Sequence, residues 1–328
     1  MPYFMIGTQR SGSNLLRIML NQSPELVAPH PPHILERLWP LLTEYGDLQN
    51  SQSFSRLVDD VCLLVETNPV SWKLGTIDRA ALEDACAEQS LVAIYFEIHN
   101  LLARHNMATD WVCKSLANVH FADEIDRFGG ARAKFIHLHR DGRDSALSFR
   151  KAIVGEKSFY HIAKQWRDEQ EKALDLGRNL PADRFISVAY SDLITRPETE
   201  LRRLCDFMKV QFYPDMLEFH KSREAASTSV AGQMWSNVQK PVMSQNTNKF
   251  LREMSAQDIA VFEAVAGDTL HKMGYPLMSG FDDENQRLKA QALESAKPED
   301  LQKRKAQASV MQEIKERLAS RNINRHVA

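Results

Sequence analysis

Residues 4–20 read FMIGTQRSGSNLLRIML, and the fold turns on this stretch. An apolar run from Tyr3 to Ile6 leads into Gly7. Gly12 follows after four residues, then Ser13 and Asn14, then LLRIML at helical spacing. Strand, glycine loop and helix together build a phosphate site, because a helix N-terminus presents unpaired N–H donors and the positive end of its dipole. The two glycines have the Walker A spacing. The Lys expected after the second glycine is absent, and Arg10 stands inside the loop instead. Arg10, Ser11, Gly12, Ser13 and Asn14 are therefore read as an anion cradle. Gly12 lets the backbone approach closely, the polar side chains add donors, and Arg10 adds a permanent charge with a forked geometry suited to phosphate or sulfate.

The surrounding sequence alternates strand-like and helix-like segments. The apolar spacing predicts helices over 54–66, with Ser53 as cap, and over 90–105. AKFIHLHR reads as a central strand followed by a turn-rich DGRD, and a helix begins near Asp144. A long amphipathic helix runs from Ser158 to near Gly177, RFISVAY is a further strand, and Pro197 opens the helix RPETELRRLCDFM. Such alternation predicts an α/β fold with a parallel sheet flanked by helices. Residues 282–328 hold no aromatic residue and many charges, so 1–281 reads as the globular domain and 282–328 as a charged helical extension, with an oligomerising role left open.

Composition narrows the function. A chain of 328 residues with 43% apolar content can bury a full core. Its 41 basic and 43 acidic residues nearly cancel, which gives no electrostatic footprint for nucleic acid or an anionic membrane. Four scattered cysteines form no CxxC pair, arguing against a zinc site or disulfide framework and for a reducing compartment. With no apolar segment of spanning length and no leader pattern ahead of the loop, a cytoplasmic protein is expected.

An NTPase needs a loop Lys and an Asp at the end of a second strand to hold magnesium. Here the strand FIHLH ends in Arg140, and Ser148 follows eight residues later on a helix. Arginine in place of a metal-holding carboxylate implies direct, metal-free anion binding. The plain alternative for Arg140 is a surface pairing with Asp141 or Asp144.

Together these segments resemble the sulfotransferase family that uses 3′-phosphoadenosine 5′-phosphosulfate (PAPS). Arg10-Ser-Gly-Ser-Asn-Leu-Leu resembles its 5′-phosphosulfate loop, and Arg140-(x7)-Ser148 its 3′-phosphate motif. ISVAYSDLITRPETELRRLCDFM resembles its strand–Tyr–helix segment. NVQKPVMSQNTNKFLREMS and LHKMGYP are similar to the tyrosylprotein branch. The resemblance covers roughly residues 3–276 and implies a modified P-loop fold. It also implies that Arg10–Asn14 hold the phosphosulfate, that Arg140, Ser148 and Tyr190 hold the 3′-phosphate side, and that Lys240 or Lys249 closes over the nucleotide. Adenosine 3′,5′-bisphosphate would be the product and a small-molecule or peptide hydroxyl the acceptor. For Tyr190 a plain core role stays open.

The chain departs from that branch at VAPHPPHILERL, where His30-Pro-Pro-His33 replaces an adjacent acidic pair. Residues before proline avoid the helical region, so Ala28–Pro32 is expected to be extended. A polyproline II turn puts His30 and His33 on one side, about 9 Å apart, too far to share a zinc ion. One imidazole as general base is the sharper reading, His30 ahead of His33, which could instead cap the next helix. Lys114 is a further basic candidate, and His137 and His139 share one strand face. Trp39, Tyr45, Phe96, Phe159, Tyr160 and Trp166 are candidates for an acceptor pocket or for core. The expectation is a PAPS-dependent sulfotransferase with a His base; a non-catalytic polyanion binder and a nucleotide kinase are the alternatives.

Overall fold

The computed structural model describes residues 1–152, 158–230 and 237–278, so the expected C-terminal extension at 282–328 lies outside the described residues. Five strands form one all-parallel sheet: β1 (Pro2–Ile6), β2 (Leu26–Val27), β3 (Asp110–Cys113), β4 (Lys134–His139) and β5 (Phe185–Ala189), in the order β2-β3-β1-β4-β5. Every residue of β1 is buried, as a central strand covered on both faces requires. Phe4 shows the packing. Its ring lies 5.2 Å from Trp111 in a T-shaped contact and within 6.0 Å of Tyr95, Phe96 and Phe135.

The helices in chain order are α1 (Ser13–Leu20), α2 (Ile34–Leu38), α3 (Ser51–Glu66), α4 (Arg79–Ala85), α5 (Leu91–His105), α6 (Ala122–Gly129), α7 (Gly142–Lys151), α8 (Phe159–Asn179), α9 (Tyr190–Thr195), α10 (Pro197–Met208), α11 (Arg223–Val230), α12 (Phe250–Glu253) and α13 (Ala256–Lys272). The expected segments stand, with shifted ends. Asn50, not Ser53, caps α3, because its Oδ1 accepts from the amides of Gln52 and Ser53. Likewise α7 starts at Gly142, since the Asp141 carboxylate accepts the Arg143 amide at 2.9 Å.

Two compact units are present. The first comprises Met1–Arg140 and Asp168–Thr247 and contains the whole sheet; its apolar core joins Met5, Leu16, Ile136, Val188 and Leu204. The second comprises Asp141–Arg167 and the described residues from Asn248 onward. Trp166 is buried there against Phe262 and Tyr275, with Phe159 in the same cluster. The turn expected at DGRD is a buried ion cluster in this unit. Arg143 is fully buried, donates to Asp141 at 3.0 and 2.7 Å and to Glu263 at 2.5 Å, and stacks on Phe250 at 3.9 Å. Asp144 accepts the Phe250 amide at 3.0 Å. These partners satisfy a guanidinium that could not otherwise be buried.

Several candidate pocket aromatics are core in their own units. Phe96 packs on Phe4, Trp111 and Phe128, and the Tyr45 hydroxyl donates to Asp60 at 2.7 Å. Trp39, half-buried, pairs with Phe121 at 5.4 Å.

Candidate functional site

Strand order places the site. β1 sits between β3 and β4, so the chain turns to opposite sides of β1 and leaves a crevice beyond the strand ends, where ligands of open α/β sheets bind. Register supplies the anchors. Ile6 pairs with His137, which sets Gly7 beside Leu138, and His139 pairs with Ala189, which sets Arg140 beside Tyr190.

The loop from Gly7 to Gly12 holds an unusual backbone. Arg10 has φ 70°, a left-handed conformation that a non-glycine residue adopts only where its surroundings impose it. Gly12 has φ 92°, and a Cβ there would lie 2.3 Å from the Tyr190 ring. It occupies the N-cap position of α1 with no side-chain cap, so the first amides of that helix remain available to an anion. Ser11 is fully buried, and its Oγ, like Asn14 Oδ1, has no hydrogen-bond partner among the described residues. A buried hydroxyl without a partner costs free energy unless a ligand supplies one. The cradle therefore fits a phosphate or sulfate group.

Arg140 and Tyr190 form a second cluster beside the loop. The guanidinium lies 4.6 Å from the ring centroid, Nη2 donates to the Asn246 carbonyl at 2.7 Å, and Nη1 reaches the Arg10 carbonyl at 3.5 Å. Asn246 closes the set by donating from Nδ2 to the Tyr190 hydroxyl at 2.6 Å. Burial and the neighbouring Arg140 lower the Arg10 pKa, the signature of two cations held together.

On the far side of β1, β3 ends at Cys113 and delivers Lys114, while β2 delivers the His30 segment. Burial, then Arg17 and Arg10, push the Lys114 ammonium down to about 7. Burial, then Lys114, Arg17 and His33, push the His30 imidazole down to about 3, below the ordinary histidine range expected for it. The His30 carbonyl accepts from Asn68 Nδ2 and Trp72 Nε1, both at 2.8 Å, which fixes the residue. His33 stands at the N-cap position of α2 with φ 57°, yet its side chain caps no backbone amide. Its Nδ1 lies 3.0 Å from the Glu36 carboxylate and 3.3 Å from Ser115 Oγ. The helix-capping alternative for His33 is thus replaced by a side-chain pair.

His137 and His139 stand as expected on one face, rings 5.1 Å apart. His137 is the buried one, with Nε2 2.7 Å from Gln170 Oε1, and Gln170 donates to Thr8 at 3.0 Å. Lys240 is exposed in the sheet-containing unit. Ser148, half-buried on α7, and Lys249, at the N-cap position of α12, belong to the second unit. Asn246 and Arg17 escaped the sequence reading. Arg17 left one signal, a lone charge inside the apolar run LLRIML. Among the described residues no cluster of His, Cys, Asp or Glu is arranged to hold a metal ion, and no helix is long and apolar enough to cross a membrane.

Fold and loop define a phosphate-binding type of crevice at the end of a parallel sheet. Residues 2–215 match the family model described as the Sulfotransferase family, and the chain belongs to that family. Protein-tyrosine sulfotransferase of Drosophila melanogaster is 23% identical over 286 residues, 84% of this chain; the chain spans about half (52%) of the fly protein. Protein-tyrosine sulfotransferase 1 of Danio rerio is 23% identical over 288 residues, 84% of this chain and 72% of the fish protein. Among solved structures, the sulfotransferase domain of the Synechococcus PCC 7002 olefin synthase superposes with a TM-score of 0.61 at 23% identity, covering 84% of this chain and 96% of that one. That likeness is one of fold.

Proposed function

We propose that the protein transfers a sulfuryl group from PAPS to an acceptor hydroxyl, without a metal, using His30 as general base. The supporting observation is the cradle. Unpaired donors at the α1 N-terminus and the buried Ser11 hydroxyl meet Arg10 at one end, while Arg140, Tyr190 and Asn246 form a second cationic anchor beside it. Two anchors suit a ligand charged at two separated positions, as PAPS is at its 5′ and 3′ ends. PAPS would supply the activated sulfuryl group and depart as adenosine 3′,5′-bisphosphate.

The chain's own residues would do the rest. Arg10 and the loop amides would stabilise charge growing on the leaving phosphate oxygen, the term a protein influences most. Lys114, half-buried with its pKa near neutrality, would add charge on the acceptor side of β1. His30 is held neutral at physiological pH by its burial, the protonation state that a general base needs. A bound polyanion would offset Lys114 and Arg17 and make that imidazole a stronger base when the site is loaded.

The test is ligand-induced stabilisation. Adenosine 3′,5′-bisphosphate at about a hundredfold over its Kd should raise Tm by roughly 5 °C, because only the folded state binds it. EDTA should leave the shift unchanged. Larger stabilisation by ATP with magnesium would overturn the assignment.

A further inference from the structure

The His30 segment is held by residues outside the anion cradle. Arg17, fully buried on α1, donates from Nη1 to the Ala28 carbonyl at 3.0 Å and to the Glu224 carboxylate. One helical turn later Asn21 accepts the Ala28 amide on Oδ1 at 2.6 Å and donates from Nδ2 to the other Glu224 oxygen at 2.6 Å. Arg17 and Asn21 are i, i+4 neighbours on one helix face. Both backbone groups of Ala28, two residues before His30, are thus fixed by side chains that one carboxylate from α11 gathers together.

That carboxylate bears on chemistry as well as position. A guanidinium cannot shed its charge on burial and needs a counter-charge. The charge on Arg17 acts on both basic groups of the site, lowering the pKa of His30 and of Lys114. The groups facing His30 are Lys114 after β3, Arg17 on α1 and His33 ahead of α2, and all three disfavour its protonated form. Glu224 sets a negative charge directly against the second of these.

We propose that Glu224 is a positioning residue for sulfuryl transfer: by gathering Arg17 and Asn21 it places the Ala28–His30 segment and screens His30 from the Arg17 charge. This rests on the reading of His30 as base. Removing the carboxylate charge takes this counter-charge away from Arg17, which disfavours the imidazolium further and weakens the base. Nothing in the cradle is touched.

The experiment is an NMR pH titration of the His30 ring in protein saturated with adenosine 3′,5′-bisphosphate, the signal being identified by its loss in His30→Ala. Glu224→Gln should lower the His30 pKa by about one unit, Glu224→Asp should stay near wild type, and the buried His137 ring should not respond in either. Bisphosphate affinity should hold within about twofold, since the cradle residues are unchanged. If Glu224→Gln does not fold, the double variant Arg17→Met/Glu224→Gln removes both charges, and its His30 pKa should lie above wild type. An unmoved His30 titration overturns the role of Glu224 and leaves the base assignment untouched. Retained turnover in His30→Ala overturns the base and leaves the titration shift standing.

Discussion

The glycine loop and the histidine–proline stretch are built alike and filled oppositely. Each follows a parallel strand, each precedes a helix, and each carries a non-glycine residue in the left-handed region, Arg10 at φ 70° and His33 at φ 57°. Neither helix has a side-chain cap. In the first turn of α1 there is no acidic residue, and Arg10 adds positive charge just ahead of it. The first turn of α2 already contains Glu36, bound by His33. One strand–loop–helix unit is open to a ligand's charge and the other carries its own. Position on the sheet alone does not make an anion site; the charge carried in and ahead of the helix's first turn also decides.

If the two loops divide labour as proposed, mutations should separate them. The largest effect belongs to His30→Ala, which should lower kcat by roughly 10²–10⁴ while bisphosphate affinity holds. The sign of the pH dependence follows from the neutral form being the active one. In wild type the rate should climb as pH rises through the imidazole pKa and then level off. The unloaded value is about 3 and a bound anion moves it upward, so this limb should lie on the acid side, and the mutant should lack it. Loss of bisphosphate binding in His30→Ala would merge the two loops into one function.

Next comes Arg140→Ala, with an expected cost of about 2–3 kcal/mol in bisphosphate affinity, some 30- to 150-fold, as for a lost charge-assisted contact. Adenosine 5′-monophosphate, which lacks the 3′-phosphate, should bind nearly as before. Calorimetry with both ligands decides, and equal losses would give Arg140 a structural role.

The smallest change is expected from His33→Ala. This frees Glu36, partly exposed already, and should reduce kcat less than tenfold without altering bisphosphate affinity. A loss comparable with that of His30→Ala would exchange the two histidines' roles.

What the sequence disclosed followed chain distance. Buried parallel strands read as apolar runs, and the cradle lies within five consecutive residues, so local pattern carried both. Arg140 was visible as a cation at a strand end, because strand ends are where open sheets bind ligands. Asn246 was not, since its link to Arg140 spans 106 residues and depends on where an irregular segment comes to rest. Arg17 was hidden differently. A lone Arg in an amphipathic helix ordinarily marks the solvent face, and the Glu224 carboxylate that it meets in the interior lies 207 residues away. The aromatic residues were undecidable in principle, because Trp166 and Phe96 have the composition of a pocket wall and of a core alike. Packing places Phe96 and Trp166 in the core of their own units.

The Tyr190 ring fills the space where a side chain at position 12 would stand. Consequently the two positions share an evolutionary fate. A methyl group at 12 would meet the ring at 2.3 Å, so alanine there carries a steric cost on top of the strain of a φ of 92°. Shrinking position 190 also removes the phenol that holds Asn246 and the face that Arg140 stacks on. A mutational path leaving glycine at 12 therefore also disturbs the contacts that Tyr190 makes with Asn246 and Arg140.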